Sequence, residues 1–401
     1  MQASIPYGIY WSTPFAKWQG SLAEQNALTL AAKVADKALA EREVDRKGID
    51  LGILGITNPQ KGGFYGLPYV TGLLGLERVA GPTVQQACAT SVRAMQMAAQ
   101  EIECASSECT LLVMADRQSN GPLIHYPNPK GPGGYGETER WVLDNMAQDP
   151  YARNSMLQTG ENAARRYGIS TAEQHAVKLR RFEQYQDALG NDRAFQRRFM
   201  VSAPIAGGRG RKDGASLDAD EGVFVTTAEG LATLKPVQDG GSVTFGGQTH
   251  PADGNAGMLI TTADRAREMS RDMSISIEIL AFGMARVEPG YMPVAPAPAA
   301  QLALRRAGVK AADLDAVKTH NPFAVNDIVL ARETGFPWER MNNYGSSIVW
   351  GHPQAPTGLR GVIELIEELS MRGGGLGLFT GCAAGDTGHA VVIKVSDARK
   401  G

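Results

Sequence analysis

The feature that most constrains this chain is a layout it uses twice. A turn of small residues around Cys88, a helix-forming run at 93–103 and the apolar strand Thr110-Leu111-Leu112-Val113-Met114-Ala115 follow one another over 88–115. The same succession returns over 343–380. There Gly351-His352-Pro353 stands near the corresponding turn, followed by an amphipathic helix at 362–371 and a strand at 377–380. Apolar strands alternating with helices argue for a layered α/β core with parallel pairing. A length of 401 residues suits a duplicated unit better than a single domain.

The remaining elements fit that frame. Residues 4–11 read as an opening strand, 25–42 as an Ala/Leu-rich helix, 50–57 as a short apolar strand, 65–76 as a short helix and 77–87 as a further strand. Late in the chain, strand-like runs occupy 257–262, 274–283, 316–320 and 390–395, and 299–307 is helical. Between 118 and 247 the texture changes to Gly, Pro and polar residues with helical stretches at 155–167 and 171–189. So long an excursion from a layered core usually carries binding function. It contains a basic loop at Arg209, Arg211 and Lys212, which is either a solvated turn or a contact for a phosphorylated ligand.

Composition narrows the classes of function. A formal net charge of -2 gives no basis for nucleic-acid binding, and no apolar run is long enough to span a bilayer. The start of the sequence lacks the charged and apolar regions of a signal peptide, and the four cysteines show neither zinc spacing nor a disulfide pattern. A cytoplasmic protein without membrane association is the expectation.

Chemistry collects at four places. Cys88 opens a helical segment, where the positive end of the helix dipole favours the thiolate. His320 ends a strand-like run in Thr319-His320-Asn321-Pro322-Phe323, and His352 sits in a tight Gly-His-Pro turn. Cys382 lies in the turn Gly381-Cys382-Ala383-Ala384-Gly385. Cys104 and Cys109 have no acid, base or second ligand nearby and read as packing or surface thiols.

Together, Cys88 in its setting, the run from Asn342 through Tyr344-Gly345-Ser346-Ser347 to Gly351-His352-Pro353, and Gly381-Cys382-Ala383-Ala384-Gly385 resemble the catalytic loops of the thiolase family. His320-Asn321-Pro322-Phe323 is similar to the family's fourth loop, in the histidine-containing form of the sterol-carrier-type thiolases. Flanking similarity at Thr13-Pro14-Phe15 and at 226–236 extends the resemblance over nearly the whole chain.

The resemblance implies the thiolase fold, a five-layered α/β/α/β/α core of two βαβαβ halves. Residues 1–117 with about 248–270 would form the first half, 118–247 an inserted loop domain and 271–401 the second half. It implies coenzyme A thioesters as substrates, with coenzyme A a substrate rather than a bound cofactor, and no metal. A homodimer or homotetramer is the expected assembly, and some histidine-containing relatives need a small partner subunit.

Cys88 would carry the acyl group, His352 would take its proton, and Cys382 would move a proton at the α-carbon of acetyl-CoA. His320 and His352 would stabilise an enolate oxygen, and backbone N–H groups of Cys88 and Ala384 an oxyanion. Thr249, His250 and Phe323 are expected against the substrate, and Arg209, Arg211 and Lys212 against its phosphates. Phe224 stands where many members have a phosphate-contacting arginine. His250, Pro251, Gln85, Gln86 and Trp350 are further departures that suggest an altered acyl pocket, for a branched, cyclic or aromatic chain.

The activity expected is CoA-dependent cleavage of a 3-ketoacyl-CoA, as in β-oxidation, or the reverse Claisen condensation. A decarboxylating ketoacyl synthase shares the fold, but decarboxylation needs no thiol to remove an α-proton and Cys382 is present. A non-catalytic acyl-CoA-binding subunit would have lost Cys88, His352 or Cys382.

Overall fold

The two repeated stretches become two half-sheets of one plan. In the computed structural model, which describes residues 2–206 and 214–400, the first half opens with β1 (Ala3–Ser4), β2 (Tyr10–Ser12), α1 (Ala27–Glu41) and β3 (Leu51–Gly55). It continues with α2 (Thr90–Glu103) and β4 (Cys109–Arg117). After the helices α3 (Met156–Tyr167) and α4 (Thr171–Arg193), β5 (Ala252–Thr262) returns to pair antiparallel with β4. The second half holds β6 (Ile275–Arg286), α5 (Pro296–Ala307), β7 (Ala316–His320), α6 (Ala324–Thr334), α7 (Gln354–Arg372), β8 (Gly374–Ala383) and β9 (Thr387–Asp397).

The halves match strand for strand. β3 runs parallel to β4, which is antiparallel to β5; β7 runs parallel to β8, which is antiparallel to β9. β6 closes the second half against β9, and β1 pairs with both β5 and β6, so that the two half-sheets form one continuous path.

Alternate residues of each strand face different layers, as the period of two requires. Leu112 and Met114 of β4 join α2, α7 and residues of β6 and β9 in a central apolar layer. Leu111, Val113 and Ala115 face α1 on the outside, and Val317, Leu378, Ala390 and Val392 face α5 on the opposite outside. Helix, sheet, paired central helices, sheet and helix make five layers.

One glycine-scale contact sets the central layer. A Cβ on Gly358 of α7 would lie 2.5 Å from Ser91 Oγ of α2, so the two helices approach as closely as they do only without a side chain there. Six aliphatic residues of α7 (Leu359, Val362, Ile363, Leu365, Ile366 and Leu369) are fully buried. Truncating any one to Ala should cost about 2–5 kcal/mol.

Several expected elements differ. The strand expected at 4–11 divides into β1 and β2, with residues 5–9 in a turn. Of 77–87 only Thr83–Val84 forms a strand, because Gly81 and Pro82 interrupt the ladder. The helix expected to be amphipathic at 362–371 is α7, which starts earlier and is buried on every side. Its charged residues are neutralised within the protein. Arg360 pairs with Asp220 at 2.6 Å and Glu364 at 3.0 Å, Lys318 with Glu364 at 2.9 Å, and Tyr10 Oη donates to Glu367 at 2.7 Å. Buried charges persist only when paired in this way. Among the described residues, no helix is long and apolar enough to cross a membrane.

Candidate active site

The site lies where the two central helices begin. Ahead of α2, the chain turns sharply at Ala87, whose φ of 44° lies in the left-handed region that L-residues rarely adopt. Thr90 locks this turn: its hydroxyl donates to Ala87 O at 2.7 Å and accepts the Gln86 N–H at 2.9 Å. The turn presents Cys88, two residues ahead of the helix.

Ahead of α7, Gly351 takes φ 92°, and a Cβ there would meet the Ala252 Cβ and the His250 Nε2 at 2.8 Å. The close approach lets His352 N–H bond to His250 O at 2.9 Å and aims the imidazole back at Cys88. His352 Nε2 lies 3.0 Å from Cys88 Sγ.

The tautomer follows from the other side of the ring. Thr357 Oγ1 donates its single proton to Pro353 O at 2.6 Å and lies 2.7 Å from His352 Nδ1. It therefore accepts from Nδ1–H, leaving Nε2 unprotonated and able to take the thiol proton.

His320, the last residue of β7, stacks on His352 with ring centroids 3.9 Å apart. Its Nδ1 lies 2.9 Å from Ser347 Oγ, and its buried Nε2 has no hydrogen-bond partner among the described residues. Asn321 beside it is fully engaged: Nδ2 donates to Asp327 at 2.7 Å, and Oδ1 accepts from Ser347 Oγ and the Ile348 N–H. The imidazole, rather than the neighbouring amide, is thus the group left free.

Cys382 lies near the end of β8 and is buried, with Asn326 Nδ2–H donating to its sulfur at 3.3 Å. Asn326 is itself held by the Phe323 N–H on Oδ1 at 3.1 Å.

Burial decides the protonation states. It pushes the Cys88 thiol up to about 12, against the pull of the backbone N–H groups of Ala384 and Cys88 itself. The thiolate expected from the helix dipole is therefore not the resting form, because desolvation outweighs a dipole that acts on a surface thiol. Burial raises the Cys382 thiol well above its ordinary value, with Cys88 adding to the shift. It lowers His320 to about 3, and holds His352 well below the usual imidazole value with help from the neighbouring His320 and His250. At neutral pH both thiols keep their protons and both imidazoles are neutral.

Cys88, His352 and Ala384 form part of the wall of a cavity of ≈ 670 Å³. Thr249 and Phe323 line the same cavity, together with Trp18, Met156, Leu157 and Met292. The Thr249 hydroxyl is already spent on Ser347 O at 2.5 Å.

The side chain of His250 is not on this wall. It turns behind Gly351 and faces the exposed ring of Phe224, 6.3 Å between centroids, so it adds no bulk to the channel. Trp350 is likewise buried elsewhere, against Phe15 and the Arg360 guanidinium. Arg209, Arg211 and Lys212 lie outside the described residues.

Among the described residues, Cys88, His320 and His352 are also the one group of cysteine, histidine and acidic side chains whose ligand atoms all fall within 4.8 Å of one another. A second large cleft, ≈ 660 Å³ between residues 41–48 and 265–271, contains neither cysteine nor histidine.

Sequence reasoning missed the supporting residues Thr357, Asn326, Thr90 and Ser347. Thr357 alone had a readable signal, a hydroxyl in the first turn of the helix that follows His352.

Two family models match this chain: the thiolase N-terminal domain over residues 11–264 and the thiolase C-terminal domain over 273–395. An acetyl-CoA acetyltransferase of Pseudomonas aeruginosa is 29% identical over 388 residues, covering 95% of this chain and 96% of the relative. A β-ketoadipyl-CoA thiolase of the same species is 30% identical over 398 residues, covering 95% and 96%. The crystal structure of an acetyl-CoA acetyltransferase from Bacillus anthracis superposes with a TM-score of 0.90 at 26% identity, covering 98% of both chains.

Proposed function

Because this chain belongs to the thiolase family and is an acyltransferase, we propose that it cleaves a 3-ketoacyl-CoA with coenzyme A through an acyl group carried on Cys88. The observation that carries this reading is the 3.0 Å approach of His352 Nε2 to Cys88 Sγ on the wall of the ≈ 670 Å³ cavity.

As substrate docks, the Cys88 proton passes to His352 Nε2 and the thiolate attacks the 3-keto carbon. The oxyanion forms against the N–H groups of Cys88 and Ala384, where the same donors already face the sulfur. Collapse breaks the C2–C3 bond and leaves the enolate of acetyl-CoA. Asn321 Oδ1 and His320 Nδ1 compete for the single Ser347 Oγ proton; turned to His320 Nδ1 at 2.9 Å, it leaves Nε2–H free to bind that enolate oxygen.

Cys382, protonated at rest, gives its proton to the α-carbon. Coenzyme A then enters, loses its thiol proton to the Cys382 thiolate and attacks the acyl group. Cys88 departs with the proton held by His352. The reverse sequence is a Claisen condensation. In that direction Cys382 protonates the departing coenzyme A and the resulting thiolate takes the α-proton of the incoming acetyl-CoA, so the same protonated resting state serves both directions.

The finer parts of this reading rest on sequence resemblance. They are the histidine-containing loop of the sterol-carrier type at His320-Asn321-Pro322-Phe323, and a non-standard acyl chain, for which the departures at Pro251 and Gln85 on the cavity walls are the support that remains. They also include the division into halves at 1–117 with 248–270 and at 271–401 around an inserted 118–247, and a homo-oligomer with or without a small partner. The chemistry described uses only side chains and backbone of this chain, with coenzyme A as substrate.

The test is a thiolysis screen across 3-ketoacyl-CoAs of varied chain, with the acyl adduct on Cys88 identified by mass. A CoA-dependent product pair and a matching adduct are expected. Turnover of malonyl-CoA derivatives alone, with no thiolysis, would replace this reading with a decarboxylating synthase.

A further inference from the structure

A second cavity of ≈ 360 Å³ meets the first at the proposed nucleophile, sharing Val142, Met146, Met156, Gln354 and Ala384 with it and reaching Ala87 beside Cys88. An acyl group on the sulfur, with its carbonyl oxygen against Cys88 and Ala384 N–H, has two ways to extend. The two directions differ in chemistry. The larger cavity runs along Trp18, Met156, Leu157, Met292 and Phe323. The smaller one is walled by Trp141 and Tyr151 and carries Asn58, Gln85, Asn145, Gln354 and the pair of opposite charges Asp149 and Arg286.

Arg286 is the decisive group. Its Nε–H is tied to Gly385 O at 3.2 Å and its guanidinium lies 5.5 Å from the Tyr151 ring centroid, which holds the side chain at the cavity. No ion pair engages it among the described residues. The two acids near it are occupied by backbone. Asp149 Oδ1 accepts from the N–H groups of Tyr151 at 2.7 Å and Ala152 at 2.8 Å, and Asp386 Oδ2 from Gly290 N–H at 3.0 Å. Among the described residues, the side-chain amides of Gln85 and Gln354 have no hydrogen-bond partner. The N–H groups of Asn58, Asn145 and Trp141 are spent on the protein, so the donors left to the cavity are the Arg286 guanidinium fork, the geometry that pairs with a carboxylate, and the Gln85 and Gln354 amides.

We infer that this smaller cavity receives the acyl tail and that Arg286 reads a carboxylate at its far end, so that the preferred substrates are 3-oxoacyl-CoAs of dicarboxylic acids. This rests on the proposed thiolase reaction and names its substrate class. The charged end stays with Arg286, while the larger apolar cavity is left for the arm of coenzyme A between Thr249 and Phe323.

The experiment compares thiolysis of 3-oxoadipyl-CoA and 3-oxohexanoyl-CoA, which share chain length and differ in a terminal carboxylate against a methyl group. The expected result is a kcat/KM about tenfold or more higher for the carboxylate substrate, with the preference shrinking as salt rises. In Arg286→Gln the ratio of the two kcat/KM values should fall about tenfold, and Arg286→Lys should restore part of it.

Equal or better turnover of 3-oxohexanoyl-CoA by the wild type overturns the inference. So does an unchanged ratio in Arg286→Gln, or a 6-hydroxy analogue that matches the carboxylate. Those outcomes leave thiolysis itself standing, whereas failure to cleave any 3-oxoacyl-CoA, acetoacetyl-CoA included, removes the underlying reading.

Discussion

The starts of the two central helices occupy the same place in the two halves and carry opposite chemistry. α2 is preceded by Cys88 and α7 by His352, each two residues ahead of the first helical residue. Neither helix is capped by the side chain at its own cap position, where Ala89 and Pro353 stand. Duplication brings the two termini together, and the unlike residues at equivalent positions become a donor–acceptor pair 3.0 Å apart.

The halves also diverge after β4 and β8. In the second half β8 turns directly into β9 through Ala384, Gly385 and Asp386. In the first half, residues 118–251 intervene between β4 and β5 and supply Val142, Met156, Leu157 and Thr249 to the cavity. One half thus furnishes a tight turn whose Ala384 N–H faces the sulfur, and the other furnishes walls.

The comparison breaks hardest at Cys88. Cys88→Ala should lower thiolysis by about 10⁴-fold or more, the scale of losing a covalent nucleophile, and no acyl adduct should be found by mass spectrometry. Undiminished turnover would mean that the first helix start carries no chemistry.

Cys382 is the sharper contrast, being a thiol with an amide partner instead of an imidazole. Cys382→Ser should slow solvent-proton exchange at the α-carbon of acetyl-CoA by about 10²–10⁴-fold, while Cys88 still takes up an acyl group. If exchange and acylation fall together, the two sulfurs do not divide the labour as proposed.

The fold was legible because the repeated pattern has a physical cause: strands buried on both faces read as continuous apolar runs, and the turns between them need small residues. Cys88, His320, His352 and Cys382 were legible because reactive side chains at strand ends and helix starts stand out from their neighbours. Their protonation was not legible. A helix start argued for a thiolate, and only three-dimensional burial shows that desolvation prevails. The burial of α7 was hidden for a related reason. Arg360, Glu364 and Glu367 look like a wet face in sequence, yet their partners Asp220, Lys318 and Tyr10 come from distant segments. His250 and Trp350 misled in the opposite sense, since bulky residues next to a catalytic turn can point away from it.

A smaller effect is expected where the second helix start is held in place. Thr357→Val removes the acceptor for His352 Nδ1–H and frees the ring to take the other tautomer. The kcat should fall about tenfold, with KM little changed and stability lowered by about 1 kcal/mol. Thr357→Ser should recover most of the rate. Equal losses in both variants would show that packing of the methyl group, not the hydroxyl, is what matters.

The mildest test concerns the link between the halves. Asp116, near the end of β4, is buried and accepts hydrogen bonds from Thr57 N–H and Oγ1–H, both at 2.8 Å, from Asn58 N–H at 3.2 Å and from Ala355 N–H at 2.6 Å. The last of these is an otherwise unpaired donor at the start of α7, three residues after His352. One carboxylate therefore ties the first half to the turn that carries the proposed base.

Burial nonetheless raises its pKa from 3.8 to about 6, outweighing the four donors. A carboxyl whose folded pKa exceeds its unfolded value binds more protons when folded, so its contribution to stability is full below about pH 4. That contribution is lost as pH rises to about 6, a change on the order of 3 kcal/mol. Asp116→Asn cannot titrate. The stability of the wild type relative to this variant, measured by urea unfolding, should therefore decline between pH 4 and pH 7, while kcat in the variant drops only a few-fold. A difference that stays flat with pH would show that Asp116 keeps its charge throughout, and that the tie between the halves is ionic at every pH where the protein folds.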